Sequence, residues 1–302
     1  MPASISMTSI LVLFYVIFAS QIFLLSIYYP GKIHGRVRYI LEQFPTADYP
    51  KLYPTKFDQG KADKGNRKLR FYMGVNYLIA FIGAVILFKM INSGYRPAPE
   101  GGDEIFVMLY FFLQAAPLLY AEIKEYTYHK LLRENYTSNT RTADLKPRRL
   151  FDFVSPFSVA AAVVLYVTMM YLYITSRDFS VQPNIEIYIT IFGMTGMQIM
   201  FAAIVGSHLY GKKINPYMSH EDQMTQIGVI AKIMVFASIG ASVFMTITHL
   251  VDQYSLEVFD PVISSVYFQF CVVFGIGFTF RTLRIEKLNF DGFKDTGSTP
   301  SP

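Results

Sequence analysis

The sequence predicts an all-helical polytopic membrane protein: a bundle of seven transmembrane helices, with the N-terminus outside and the C-terminus in the cytoplasm. Three observations lead to this fold class. Of the 302 residues, 52% are hydrophobic and only 16% are charged, which is unlike a soluble domain. Seven long runs carry almost no charge, and nearly all Lys and Arg residues lie on one side of the alternating runs.

Each predicted span is long enough for a bilayer core about 30 Å thick, which needs about 20 apolar residues of helix. The third span is the shortest and contains Pro117, and we expect its helix to continue past Glu122 toward the cytoplasm. The spans are predicted at residues 8–28, 71–93, 105–121, 157–175, 187–210, 227–249 and 262–280.

The charges orient the bundle. No basic side chain precedes the first span, whereas Lys32, Arg36 and Arg38 follow it, so the first span is not expected to be a cleaved signal peptide. The segments assigned to the cytoplasm hold 23 of the 27 Lys and Arg residues, and the outer loops hold only Arg96 and Arg177. This asymmetry predicts a multi-pass protein of a plasma or inner membrane.

Two long basic segments, 29–70 and 122–156, lie on the predicted cytoplasmic side of the seven-helix domain 1–285. We expect their cations to face anionic lipid headgroups, at about 1 kcal/mol each, and Arg148 and Arg149 are candidates for binding a headgroup phosphate. The alternative is that these cations only fix the orientation. Because orientation explains the cation excess, no nucleic-acid partner is expected. A polar C-terminal tail is predicted at 286–302.

The odd-numbered spans share a recurring glutamine, which suggests a parallel internal repeat. The repeated unit is either a pair of helices or a three-helix unit, with spans 1–3 and 5–7 joined by span 4. The second arrangement is similar to the symmetry of sugar-efflux-type transporters. Their proline–glutamine signature is absent, and their inner loops are shorter.

Polar amides within the spans are the first group of candidate site residues. An amide in hydrocarbon has no water to bond, so it needs a protein partner or a hydrated cavity. One interpretation is a polar pathway through the bundle; the alternative is interhelical packing, at about 0.6 kcal/mol per hydrogen bond. These residues are Gln21, Asn76, Gln114, Gln198 and Gln269.

Ionisable residues near the inner ends of the spans form the second group. Glu122, Asp152 and His208 follow or precede the inner ends of spans 3, 4 and 5, and Lys232 lies about one turn inside span 6. If these ends adjoin, the groups form a cytoplasmic-face ionisable cluster. The alternative is a set of separate interfacial residues, with Lys232 extending its ammonium group to the interface.

Motifs for membrane enzymes are missing from the sequence. It contains no H-E-x-x-H, G-x-S-x-G or phosphate-binding glycine motif. Its five histidines are scattered, and the single cysteine, Cys271, cannot form an intrachain disulfide. We therefore assign no catalytic residue and expect neither a cofactor nor a metal.

Three classes of function remain open. A small-solute transporter or channel is favoured by the recurrent glutamines and the repeat. A receptor, scaffold or assembly factor would bind a protein partner through segments 29–70 and 122–156. An enzyme acting on a lipid at the cytoplasmic face would use the ionisable cluster and the Arg148–Arg149 pair, and this class has the least support.

Overall fold

The structure, a computed structural model, describes residues 7–54, 62–97, 102–136, 148–176, 185–211, 213 and 215–294. These residues form helices joined by turns and contain no strand. Seven of the helices are long and apolar enough to cross a membrane, which confirms the predicted all-helical class and the number of helices of membrane-spanning length. They are Met7–Gln43, Gly65–Ser93, Glu104–Glu134, Pro156–Thr175, Ile187–Tyr210, His220–Gln253 and Glu257–Lys287.

The first and last spans are each built from two α-helices joined by a π-helical turn. In the first, α1 (Met7–Phe23) runs through a π turn at Leu24–Tyr28 into α2 (Tyr29–Gln43). The five spans between are α3 (Ala62–Ser93), α4 (Glu104–Glu134), α5 (Pro156–Thr175), α6 (Ile185–Tyr210) and α7 (His220–Gln253). In the last, α8 (Asp260–Val272) runs through a π turn at Val273–Gly277 into α9 (Phe278–Thr282).

The sequence accounts for where several helices begin and end. Ser155 and Ser219 accept hydrogen bonds from the backbone amides of Ser158 and Asp222, which caps α5 and α7. The α2 helix ends at Gln43, close to Pro45, since a proline disfavours helical geometry in the residue before it. Pro117 does not end α4, which continues past Glu122 as expected.

The spans pack in two groups that meet at α7 and α8. In the first helix group, α8 contacts α1 and α4, and α3 contacts the same two helices. Its core is aromatic and aliphatic, with Phe14 and Phe18 fully buried. In the second helix group, α5 and α6 both pack on α7. A contact between α7 and α8 joins the groups, and Phe244 stacks there on Tyr267 with ring centroids 4.1 Å apart.

Four chain segments form an ordered layer around the helix ends on the predicted cytoplasmic side. We call residues 44–54, 128–136, 215–222 and 285–294 the end layer. Phe44 stacks on Phe290 with centroids 4.0 Å apart, and Tyr217 contacts both Tyr136 and Phe293. These rings tie the chain before α3, the end of α4, the start of α7 and the chain after α9 to one another.

The end layer changes the description of the C-terminal segment. Residues 286–294, which the sequence assigns to a polar tail, are packed in this layer, where Phe293 is only 4% exposed. The physical reason is that two phenylalanines, Phe290 and Phe293, find aromatic partners on other segments. The rest of the predicted tail lies outside the described residues.

Candidate functional site

A buried amide network connects α1, α4 and α8. Gln21 donates from Nε2 to Oε1 of Gln114 at 3.0 Å and accepts from the Ser265 hydroxyl at 2.5 Å. Gln114 donates in turn to the hydroxyl of Ser26, within the first π turn, at 2.9 Å. Gln21, Ser26 and Ser265 are fully buried and Gln114 is 3% exposed, so these groups satisfy one another away from solvent.

Gln269 extends the same network along α8, because its Nε2 donates to the Ser265 hydroxyl at 3.4 Å. Its Oε1 accepts from the Ser20 hydroxyl at 2.8 Å, and its Nε2 donates to the backbone oxygen of Ile17 at 3.0 Å. The network therefore brings together the glutamines of spans 1, 3 and 7. We call Ser20, Gln21, Ser26, Gln114, Ser265 and Gln269 the amide network.

The other two amides of the predicted pathway lie apart from it. Gln198 bonds to α7, accepting from the Ser238 hydroxyl at 2.5 Å and donating to Ser242 at 3.4 Å. Asn76 is 2% exposed and donates to the backbone oxygen of Tyr72 in its own helix at 2.8 Å. Hydrogen bonding between side chains and helices is what the packing interpretation predicts, and a solute path through these groups stays a prediction.

The serine partners were missed by the sequence reasoning, although a signal for them exists. Ser265 precedes Gln269 by four residues, and Ser238 precedes Ser242 by four, so each pair lies on one helix face. A hydroxyl within an apolar span has the same need for a partner as an amide. Serines one turn apart, or one turn from a glutamine, are thus as informative as the glutamines themselves.

Asp152 and His208, from the predicted ionisable cluster, make contacts within their own segments. Asp152 accepts from the backbone amide of Arg149 at 2.9 Å, and the His208 Nδ1 lies 2.8 Å from the backbone oxygen of Ile204. Glu122 is exposed on α4. Within the described part of the chain, no hydrogen bond or ion pair joins Glu122, Asp152 and His208.

The remaining predicted cations have two different environments. Lys232 is exposed on α7. The helix begins at His220, well before the predicted span, so Lys232 lies about 18 Å from the start of the helix at about 1.5 Å per residue. Arg149 is exposed, and Arg148 is partly buried beside it. The segment that precedes this pair, 137–147, lies outside the described residues.

An open cavity of about 830 Å³ lies where the first and last spans leave their π turns. Its walls carry four cations and one acid, Glu286, above an aromatic and aliphatic floor. The cations are Lys32 and Arg36 on α2, Arg281 on α9 and Arg284 just beyond it. The floor consists of Tyr28, Tyr29, Val273, Phe274, Gly277, Phe278 and Phe280. We call this feature the basic cavity.

The walls of the basic cavity are held by specific contacts. Arg36 donates from Nη2 to the backbone oxygen of Leu283 at 2.8 Å, and its guanidinium carbon lies 4.7 Å from the ring centroid of Phe280. A Cβ on Gly277 would lie 2.7 Å from the hydroxyl of Tyr29, so a larger residue there would require the Tyr29 side chain to move. The spacing of the cations, at i,i+4 and i,i+3 after each π turn, was the available sequence signal.

A serine–histidine contact joins the C-terminal ends of α5 and α7. The Ser176 hydroxyl lies 2.7 Å from Nε2 of His249, which is 8% exposed and packs edge-on against Tyr173. The sequence treated His249 as one of the scattered histidines. Here it joins the helix ends of the second helix group.

The fold places the protein in the class of seven-helix proteins whose helices have membrane-spanning length and hydropathy. Comparisons with protein-family models, with curated proteins and with solved structures gave no significant match. Function is therefore argued from the geometry alone.

Proposed function

We propose that the protein is a membrane receptor or scaffold that holds a protein partner at its cytoplasmic side. The observation that carries this proposal is the end layer, in which four separated segments pack through aromatic rings. Orientation in a membrane requires cations in these segments, but it does not require the segments to be packed together. An ordered layer outside the bilayer is instead a requirement for a reproducible docking surface.

The layer also uses directional contacts that hold its backbone. Tyr128 donates to the backbone oxygen of Leu52 at 3.0 Å, and the carboxylate of Asp222 accepts from the backbone amide of Asn289 at 3.0 Å. Lys51 donates to the backbone oxygen of Lys294 at 2.8 Å. Each contact links two different segments, so the layer is cross-connected.

Charge indicates the kind of partner. The predicted cytoplasmic segments contain 23 Lys and Arg residues against 14 Asp and Glu residues. A partner with an acidic surface would be attracted to this side of the protein, and like-charged proteins would be repelled. We therefore propose that an acidic partner is attracted to this side by the segments around the end layer, because the layer itself is nearly balanced, with five Lys and Arg residues against six Asp and Glu residues.

The experiment is purification of the tagged full chain after mild solubilisation, with and without crosslinking, followed by measurement of the partner's stoichiometry. Phe290→Ala removes the ring that stacks on Phe44 and should reduce retention about tenfold or more, which corresponds to at least about 1.4 kcal/mol of binding free energy. The matched control is Phe192→Ala, because Phe192 is 72% exposed on α6. This control should retain the partner fully.

Two results would overturn the docking proposal. One is a wild-type chain that purifies alone from gently solubilised, crosslinked membranes. The other is full partner retention by Phe290→Ala when limited proteolysis shows that the layer around 285–294 has opened.

Transport is the second candidate function, and the two π turns are the observation that favours it. π-Helical turns interrupt regular helices most often at functional positions, and interrupted helices line the binding sites of many transporters. The first π turn contains Ser26 of the amide network, and the second lies next to Gln269.

A solute path must admit water, so transport can be tested by accessibility. Gln269→Cys and Gln21→Cys, introduced into a Cys271→Ser background, should react with a membrane-impermeant thiol reagent if they line a path. Tyr254→Cys is the positive control, because Tyr254 is 68% exposed at the end of α7 on the predicted outer side. Reaction of the control alone would remove the support for transport.

A further inference from the structure

We propose that the basic cavity binds a phosphate-bearing anion, and that the anion is the headgroup of a membrane lipid. The inference differs from the docking proposal in its ligand and, apart from Glu286, in its residues, so either can fail without the other. It rests on the charge of the walls, on the prepared geometry of Arg36 and on the apolar floor.

The charge of the cavity is unbalanced. The cavity is lined by one acid, Glu286, and by four cations: Lys32, Arg36, Arg281 and Arg284. The ion pairs found in the described part of the chain, which join Arg38 to Glu42, Glu125 to His129 and Asp291 to Lys294, include none of these four cations. Four convergent positive charges repel one another, and an anion bound among them would relieve that repulsion.

Arg36 is held in position for such an anion. One of its terminal nitrogens donates to Leu283, and the guanidinium plane lies over Phe280. A guanidinium has five N–H donors, so most remain for a ligand. An arginine fixed in this way loses little side-chain entropy on binding, and its forked donors match two oxygens of a phosphate.

The floor of the cavity matches an apolar chain rather than a free ion. Tyr28 and Val273 are 42% and 43% exposed on the π turns, and Phe274 and Phe278 continue the apolar surface along the last span. The cations lie just beyond the turns on both spans, at the predicted cytoplasmic boundary of the bilayer. A lipid lying there would place its phosphate among the cations and its first methylenes on the floor.

The volume is consistent with this occupant. About 830 Å³ is within the range of roughly 300–1,000 Å³ that is typical of small-molecule sites. It is much larger than an inorganic phosphate needs. A free phosphate compound would share the anionic chemistry but would leave the floor uncovered.

The test uses the full chain in nanodiscs that contain phosphatidylcholine with a small fraction of phosphatidic acid or phosphatidylglycerol. Lipids that stay bound after transfer to detergent are counted by native mass spectrometry. The test variant is Lys32→Gln/Arg284→Gln, because both side chains are exposed and their loss should not affect folding. We expect retained anionic lipid to fall about tenfold or more.

The matched control is Arg38→Gln/Lys287→Gln, which removes the same number of charges from neighbouring exposed positions outside the cavity. It should change lipid retention less than about twofold, because exposed charges contribute mainly a screened, long-range attraction. A second variant, Arg36→Lys, keeps the charge but loses the fork, and it should show partial loss. The thermal midpoint of each variant verifies that it is folded.

A second arm distinguishes the source of the phosphate. Glycerol phosphate, titrated against detergent-solubilised protein, should bind weakly or not at all, whereas phosphatidic acid should be retained. Tight glycerol phosphate binding without lipid retention would overturn the lipid assignment. Equal loss in the test and control variants, or no preference for anionic lipid over phosphatidylcholine, would overturn the site itself.

Discussion

The two helix groups use different side chains to solve the same packing problem. In the first group, rings and amides fill the core: Phe18 lies 5.3 Å from Tyr110, centroid to centroid, and the amide network connects three helices. In the second group, methionines meet around Ala241, with Met169 and Met194 buried there. Rings and hydrogen bonds have preferred geometries, whereas methionine adapts to irregular gaps.

The comparison indicates where rigidity and adaptability lie in this protein. The first group carries both π turns and both walls of the basic cavity, so its fixed geometry holds the candidate lipid site. In the second group, α5 and α6 depend mainly on α7 for their contacts. A change in the position of α5 or α6 would alter adaptable contacts and leave the amide network in place.

The largest expected effect comes from truncating the aromatic core. Phe18→Ala empties a fully buried position among Phe14, Phe106 and Tyr110, and should lower the free energy of unfolding by about 3 kcal/mol. Met169→Ala, also buried, should cost about 2 kcal/mol, because the neighbouring methionines can close part of the gap. Unfolding of the detergent-solubilised protein by SDS titration measures both. A larger loss for Met169→Ala would contradict the assigned difference.

The amide network provides the next comparison. Gln21→Leu removes the bonds to Gln114 and Ser265 and leaves buried partners unsatisfied, so we expect a loss of about 2 kcal/mol. Gln198→Leu removes one short and one long hydrogen bond at a partly buried site, and should cost about 1 kcal/mol. The same SDS titration applies. Equal costs would mean that connectivity adds nothing to the individual bonds.

Two glycines give a smaller effect, with opposite signs. A Cβ on Gly83 would lie 2.9 Å from Cγ1 of Ile22 and would collide with Tyr110, whose hydroxyl donates to Ile79, so Gly83→Ala should destabilise by about 1–2 kcal/mol. Gly196 on α6 has open space around the same position, so Gly196→Ala should stabilise by about 0.5 kcal/mol. Thermal midpoints of both variants decide this prediction. Destabilisation by both would show that α6 is packed more closely than the structure indicates.

The smallest effect concerns the end layer, which connects the two groups. Burial raises the pKa of Tyr217, so its neutral form is favoured in the folded layer. This contribution is complete below the ordinary tyrosine pKa of about 10 and is lost as the pH rises through the raised value. The thermal midpoint should fall above about pH 10, and less steeply in Tyr217→Phe. Identical slopes would exclude Tyr217 as a contributor.

Particular residues show how far the sequence was sufficient. The seven spans followed from apolar runs because the length of a membrane helix and its lack of charge are local properties. The continuation of α4 past Glu122 was also predicted from the sequence. The π turns were not predicted, since they preserve helical periodicity almost unchanged.

The candidate site residues show the same difference between local properties, which the sequence predicts, and contacts between distant segments, which it does not. The sequence identified the glutamines as residues that need partners, but it could not identify which ones pair, because Gln21 and Gln114 lie 93 residues apart in the chain. Glu122, Asp152 and His208 illustrate a limit of this reasoning: all three lie near the same predicted membrane face, yet no hydrogen bond or ion pair in the described part of the chain joins them. The basic cavity was missed because its two walls follow the first and the last spans.

The sequence by itself determined the helical class, the number of membrane-length spans and the asymmetry of charge, because each depends on composition within a window of about 20 residues. Only the tertiary structure decided the pairing of Gln21 with Gln114, the packing of Phe290 on Phe44, and the convergence of Arg36 and Arg284. Those features depend on contacts between segments that are distant in the chain, which local hydropathy does not specify.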